Sequence, residues 1–305
     1  MNAALCDLDQ FGTLRISGDD ALSFLQNLLS NDMRAVDGQH AGFGSLNTPK
    51  GRMLATLLIW REGADYCVQL PRDLLAAIQK KLTLYVLRSK VKVTDASDEI
   101  VCLGLGGHDA AQLAAACFAD VPKETMGVAQ QETDTLIRLD TNRLQIVTTP
   151  ARAAVLRQRL TDAGAQPADS RHWDWLTIRA GIPVVLPATQ EAFVPQMANL
   201  ELIGGVNFKK GCYPGQEIVA RMHYLGKAKR RMYLAHVAAD AKAGDELFNA
   251  EGENCGMVAN AAPAPDGGMD LLVVIQIASL DAPVHLGSAA GDALQFLPMP
   301  YAIPD

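Results

Sequence analysis

GGVNFKKGCYPGQEIVAR, residues 204–221, is the stretch on which the reading of this 305-residue chain turns. Two glycines, Asn207 and the pair Lys209–Lys210 lead through Gly211 to Cys212 and Tyr213. Pro214–Gly215 then sets a turn before Gln216–Glu217 and an apolar run. A thiol close to ammonium groups ionises more easily, and a helix starting near Gly215 adds to this if its N-terminus faces the sulfur. Glycines on both sides let the backbone pass close to a ligand. Each residue has two readings. Cys212 is a reactive or ligand-gripping thiol, or a small residue filling a tight turn. Lys209 and Lys210 meet a ligand's carboxylates or phosphate, or are simply solvated. Glu217 accepts hydrogen bonds from an amide-bearing ring, or caps the following helix and pairs with Arg221 one turn on.

Beyond residue 230 the pattern changes to short alternating pieces such as RMYLAHV, separated by turn-rich segments such as NAAPAPDGG (260–268). With no long amphipathic helix, that region predicts a small all-β domain, read as a barrel. Before the segment, strands and helices alternate. A strand at 14–16 precedes a helix over 21–29, which Asp19–Asp20 can cap. The segment 37–51 is rich in glycine and turn formers. Strands follow at 53–60 and 65–70, and Pro71 opens a helix bearing Leu74, Leu75, Ile78 and Leu82. Further strands are expected at 90–94, 100–105, 135–139 and 144–148, with helices at 109–118, 151–160 and from Ser170 to the stop at Gly181. Trp173 and Trp175 are two apart in the last of these and so face different ways. The class is α+β, small mixed sheets with helices on one side.

Composition narrows the function. Apolar residues make up 49%, enough for buried cores. A net charge of -7 opposes a dedicated nucleic-acid module but leaves room for a local basic patch that docks RNA or an anionic ligand. Six scattered cysteines without a CxxC form neither a disulfide framework nor a zinc or iron–sulfur site, so no permanently bound metal is expected. The glycines at 104–107 lack GxGxxG spacing, no phosphate loop or GxSxG elbow occurs, and the histidines are isolated, His223 included. The apolar run at 271–280 is too short to cross a bilayer, and the first dozen residues lack the layout of an export signal. The expectation is a cytoplasmic protein, monomeric, away from membranes and without stable nucleic-acid contact.

The string KGCYPGQE (210–217) resembles the K-G-C-Y-x-G-Q-E signature of the YgfZ family of folate-binding proteins. RAGIPVVLPATQEAFVPQMANLE (179–201), ISGDDALSFLQNLLSND (16–32), LNTPKGRMLATLLIW (46–60) and LYVLRSKV (84–91) fall in the family's order. The resemblance implies the fold of the glycine-cleavage aminomethyltransferase: two α+β domains around a central channel, the first interrupted by the second, with a C-terminal β-barrel. On this chain that means 1–50 with 120–229, an insert at 51–119, and the barrel at 230–305. It implies tetrahydrofolate or a related folate as ligand. The implied role is support of iron–sulfur client enzymes or cluster-assembly proteins, the enzyme that methylthiolates tRNA among them. Cys212 inherits the family's functional thiol and Lys210 a tuning or ligand-contact role. Lys209, Gly211, Tyr213, Gln216, Glu217, Arg179 and Asn27 are the accompanying ligand-binding candidates.

Two departures matter. Where the aminomethyltransferase carries its aspartate, the present chain has Leu54 and Ala55, so a group that could handle a proton or meet the folate nitrogens is missing. Where relatives place an acid before Ala-Gly, Arg179 stands, and a guanidinium favours a carboxylate or phosphate over a pterin edge. The preferred function is a folate-binding accessory protein for assembly or repair of iron–sulfur clusters. The rivals are a tetrahydrofolate-dependent aminomethyl transferase and a non-catalytic interaction protein with a vestigial channel.

Overall fold

The structure, a computed structural model, describes residues 3–226 and 228–304. In chain order the elements are β1 (Ala4–Asp7), β2 (Phe11–Ser17), α1 (Ala21–Leu28), β3 (Gly42–Asn47), β4 (Met53–Glu62), β5 (Asp65–Pro71), α2 (Arg72–Val86), β6 (Lys92–Asp95) and β7 (Val101–Gly106). There follow α3 (Ala110–Ala114), β8 (Val128–Gln131), β9 (Asp134–Arg138), β10 (Arg143–Thr148), α4 (Pro150–Asp162), β11 (Gln166–Ala168), α5 (Ser170–Arg179) and α6 (Gln216–Leu225). The chain closes with β12 (Arg230–Val237), β13 (Glu246–Phe248), β14 (Asn254–Pro263), β15 (Met269–Gln276), β16 (His285–Leu286) and β17 (Gln295–Leu297). No helix among the described residues is long and apolar enough to cross a membrane.

Two compact units result: Met1–Gln26, Asp32–Gly42 and Leu57–Trp173 form one, and Asn27–Asn31, Phe43–Thr56 and Asp174–Asp305 the other. In the first, a mixed sheet runs β11-β1-β7-β10-β9-β8, its β1–β11 pair parallel and its other pairs antiparallel. Period-two alternation puts Leu103, Leu105, Leu136, Leu144 and Ile146 into one core, covered by Ala110 and Ala114 of α3 and by Leu156 and Leu160 of α4. Gly104 sits beneath Trp173: a Cβ there would lie 2.4 Å from the indole, so any larger residue would displace the ring. The guanidinium of Arg143 lies 5.5 Å from that ring's centroid. The same unit holds β4 from Leu57 onward, then β5, β2 and β6 side by side, with α2 packed on β2 and β6.

The second unit carries the C-terminal sheet, β16-β13-β14-β15-β12-β17. Its core is the alternating set Ala235, Val237, Leu247, Val258, Leu271, Val273 and Ile275. The sheet curls but ends in the short strands β16 and β17, so the described residues form an open half-barrel and not the closed barrel expected from the sequence. A register shift between Val258 and Asn260 frees the Asn260 amide. It accepts from Val184 N at 3.0 Å and donates to Val184 O at 2.8 Å, pinning the stretch after α5.

Other expectations shift locally. α3 is shorter than the helix expected at 109–118, and β3 occupies the stretch read as turns, because its GFGSLN sequence pairs with neighbouring backbone despite two glycines. Strand β7 pairs with β1 and β10, so one sheet joins strands that precede and follow β2–β6 in the chain.

Candidate functional site

The signature turn is built on backbone contact. Gly215 precedes α6 with φ +79, a left-handed conformation that a side chain disfavours. A Cβ on it would fall 2.5 Å from both Gly51 Cα and Thr48 O. The Pro214–Gly215 turn therefore seats directly on the Thr48–Gly51 turn, which is closed by Gly51 N donating to Thr48 O at 2.9 Å. Two segments far apart in sequence, LNTPKGR and KGCYPGQE, meet at two glycines.

A second clasp holds the other side. Ser30 is fully buried; its hydroxyl donates to Gly205 O at 2.6 Å and accepts from Ser45 N at 2.8 Å. Asn207 N donates to Ser30 O at 3.0 Å. Asn31 Nδ2 bonds Gly204 O at 2.9 Å and Phe43 O at 2.7 Å. Lys210 completes the clasp. Only 8% exposed, it directs its ammonium to Leu29 O and, at 3.0 Å, to Asn31 O, with the Tyr213 ring centroid 5.1 Å away. Tyr213 is itself buried, which pushes its phenol up to about 12. Lys210 thus ties the signature to the end of α1.

Cys212 projects from this braced turn and is exposed, whereas Cys6, Cys67, Cys117 and Cys255 are buried and Cys102 is half-buried. Burial pushes the Cys67, Cys117 and Cys255 thiols up and that of Cys102 to about 12, so they stay protonated at neutral pH. Gly211 beside it is exposed, and a Cβ there would meet nothing within 4 Å. Lys209 is exposed, its backbone N–H held by Asn207 Oδ1 at 2.8 Å. Gln216 Nε2 reaches Lys210 O at 3.4 Å, and Glu217 stands exposed in the first turn of α6, where the helix dipole favours an acid.

Arg179 and Asn27 go elsewhere. Asn27 is exposed in the last turn of α1. Arg179, ending α5, pairs at 3.5 Å with Asp270 of β15, a buried carboxylate that also accepts from Trp175 Nε1 at 2.8 Å and lies 2.9 Å from His236 Nδ1. Leu54 and Ala55 are both buried; Leu54 O accepts from Gln190 Nε2 at 2.9 Å, and Met53 N donates to Phe193 O at 2.8 Å.

Residue-by-residue reading passed over Ser30, Asn31, Ser45 and Asn47. Asn47, 1% exposed and directly before the Thr48–Gly51 turn, has neither amide atom matched among the described residues. Its signal was the LNTPKG string itself, a polar residue wedged between an apolar strand and a turn. No group of three His, Cys, Asp or Glu among the described residues is placed to hold a metal ion.

A family model described as the GCVT N-terminal domain matches residues 1–148. The chain is 33% identical to the tRNA-modifying protein YgfZ of Sodalis glossinidius (strain morsitans), over 98% of this chain and 93% of that protein. It is 30% identical to that of Escherichia coli O7:K1 (strain IAI39 / ExPEC) and 31% to that of Shigella boydii serotype 4 (strain Sb227), at the same coverage. Among solved structures, the glycine cleavage system aminomethyltransferase T from Bartonella henselae superposes with a TM-score of 0.80 over 97% of this chain and 85% of its own, at 18% identity. That likeness shows the fold: α+β, with mixed sheets and a curled C-terminal sheet.

Proposed function

The chain belongs to the YgfZ family of tRNA-modifying proteins, and from that premise we propose that it is a folate-binding accessory protein supporting assembly or repair of iron–sulfur clusters in client enzymes. The observation that carries the reading is the presentation of Cys212, the one exposed thiol of six, on a turn braced by Gly51–Gly215 and by Lys210. As a thiolate such a group can ligate a cluster iron reversibly, or exchange with a partner's disulfide, one partner sulfur leaving as a thiolate. One thiolate is too few to hold a cluster, so the client completes the coordination shell and takes the cluster with it. The relatives' name points to tRNA modification; within that, the client proposed is the enzyme that methylthiolates tRNA, met in the cytoplasm by a monomer of this chain.

The residues fit a folate at Asn47. A buried amide with donor and acceptor both unmatched is costly unless a ligand with the complementary pair fills it, and the amide edge of a pterin is such a pair. Bound tetrahydrofolate supplies a one-carbon carrier through its ring nitrogens. The protein brings no carboxylate to Leu54 or Ala55, which are buried, Leu54 O accepting from the Gln190 side-chain amide, and this weighs against aminomethyl transfer.

Two measurements test the reading. Anaerobic calorimetry with tetrahydrofolate should give saturable binding that Asn47→Ala weakens at least tenfold; no binding by the unaltered protein removes the folate half. In a deletion strain, Cys212→Ala should fail to restore cluster-enzyme activity while accumulating as a folded protein. Full rescue by that variant removes the thiol half.

A further inference from the structure

The run from Asn207 to Arg231 holds seven Lys or Arg against one acid, Glu217, in a chain whose net charge is -7. Lys210 and Arg231 are buried and internally bonded, but Lys209, Arg221 and Lys229 are exposed and Arg230 is half-buried. Their field is local, because exposed charges beyond about 8 Å are largely screened at physiological salt, so the acidic remainder does not cancel it.

Aromatic rings share this stretch with the cations. Phe208 stacks on His223 with centroids 3.7 Å apart and planes 11° off parallel. Tyr224 stands edge-on to both, and is 63% exposed. His223 also lines a cleft of about 670 Å³ together with Met222, Lys229, Arg231, Gln196 and Glu201. Two acceptors of that lining are buried and unmatched among the described residues, Gln196 Oε1 and Glu201 Oε2. Gln196 is 2% exposed, with its Nε2 committed to Val219 O, and the other Glu201 oxygen is taken by Arg231.

We propose that this surface, around the C-terminal end of α6, binds single-stranded RNA. Tyr224 and the His223–Phe208 stack offer π-faces to successive bases, and Lys209, Arg221, Lys229 and Arg230 meet the phosphates. The unmatched acceptors of the cleft call for a donor, which the exocyclic amino group of adenine, cytosine or guanine supplies and uracil lacks. An acidic protein would satisfy the cations but would bring more acceptors to a lining already short of donors. The choice of RNA over DNA rests on the tRNA-linked reading above; the rings, charges and acceptors do not depend on it.

The experiment is fluorescence anisotropy with labelled single strands of about twelve nucleotides, oligo-A, oligo-U and their DNA counterparts, against the full chain. Oligo-A should bind saturably and at least about fivefold more tightly than oligo-U, and about four phosphate contacts should give a log–log salt slope near 3. Tyr224→Ala should weaken binding about tenfold. Arg221→Glu should weaken it too and flatten the salt slope by about one contact. Both variants should keep the parent's melting curve and its tetrahydrofolate titration, which separates loss of this site from unfolding and from failure of the folate reading. The proposal is overturned if no strand binds saturably, if Tyr224→Ala changes nothing, if oligo-U equals oligo-A, or if DNA binds as well as RNA. A salt-sensitive complex with an acidic protein in place of any RNA complex overturns it as well.

Discussion

Replacing Lys210 by methionine separates two roles for the lysine that opens the signature. If its ammonium tunes the Cys212 thiol, the variant should alter thiol chemistry. If it braces the turn, the variant should cost stability and leave the thiol alone. The geometry favours bracing, since the ammonium is bonded to Leu29 O and Asn31 O. Methionine keeps most of the apolar stem but removes the donor. A buried carbonyl left without a donor costs roughly 1–3 kcal/mol, and the lost contact with the Tyr213 ring adds about 0.5–1 kcal/mol. Leu29 is fully buried and Asn31 half-buried, so water rescues the second carbonyl better than the first. With the desolvation cost of the ammonium relieved, a net loss of about 2–3 kcal/mol is expected, a fall in melting temperature of roughly 5–10 °C for a unit of this size. Scanning calorimetry measures that loss, and the rate of Cys212 alkylation against pH reads the thiol. The alkylation midpoint should stay within about 0.3 pH units of the parent. A shift upward by a whole unit, about 1.4 kcal/mol of lost interaction with the thiolate, would refute the bracing role, as would a melting temperature that does not move.

Further outcomes follow from the same geometry. Gly215→Ala should destabilise by at least about 2 kcal/mol, since the left-handed backbone alone costs about 1–2 kcal/mol in a residue with a Cβ and the Cβ also meets the Gly51 turn; Gly211→Ala, with open space around it, should stay within about 1 kcal/mol on denaturant unfolding. Native-state alkylation followed by intact mass should add one label rapidly, at Cys212, and further labels only on unfolding; a second label at a comparable rate would contradict the burial of the other thiols. Burial holds His172 below the usual histidine range in spite of Asp169, so its contribution to stability is complete above the unfolded value near 6.5 and is lost as the pH falls through it toward the folded value. His172→Gln should flatten that part of the stability–pH curve, and an unchanged slope would show that another group sets it.

The local reading of the sequence succeeded where one physical signal dominated. The apolar run of β4, the Pro71 start of α2 and the paired strands β9 and β10 were all legible from alternation, helical spacing and turn residues. Strand β3 was not, because glycines that mark turns elsewhere are here flat partners in a sheet. The half-barrel was read as closed, because strand count and turn spacing do not reveal whether the edge strands meet. At the site, the KGCYPGQE string was unmistakable, yet the purpose of its glycines and of Lys210 was not. Gly215 is required by Gly51 and Thr48, some 165 positions earlier. The ammonium of Lys210 turns toward carbonyls about 180 positions away. Nothing local announces partners at such separations. Asn47 escaped for a related reason: a single polar residue before a turn draws notice only once the described residues around it prove to hold no partner.

Arg179 shows how a substitution in a family motif is to be weighed. Taken alone, an arginine where relatives carry an acid suggests a changed ligand. In the fold its guanidinium faces the buried carboxylate of Asp270, which also takes hydrogen bonds from Trp175 and His236. The pair is partly open to solvent, so its own worth is at most about 1 kcal/mol. Its meaning is compositional: the positive charge gained on α5 is answered by a negative charge on β15, within one unit. Arg179→Glu would then face the Asp270 carboxylate with a second one and report on that repulsion in place of a pterin contact. Arg179→Gln is the cleaner probe, because it removes the charge and keeps a donor for Asp270. It should cost under about 1 kcal/mol and leave tetrahydrofolate affinity unchanged if the ligand is held at Asn47. A tenfold change in that affinity would return Arg179 to the binding site and displace Asn47 from it.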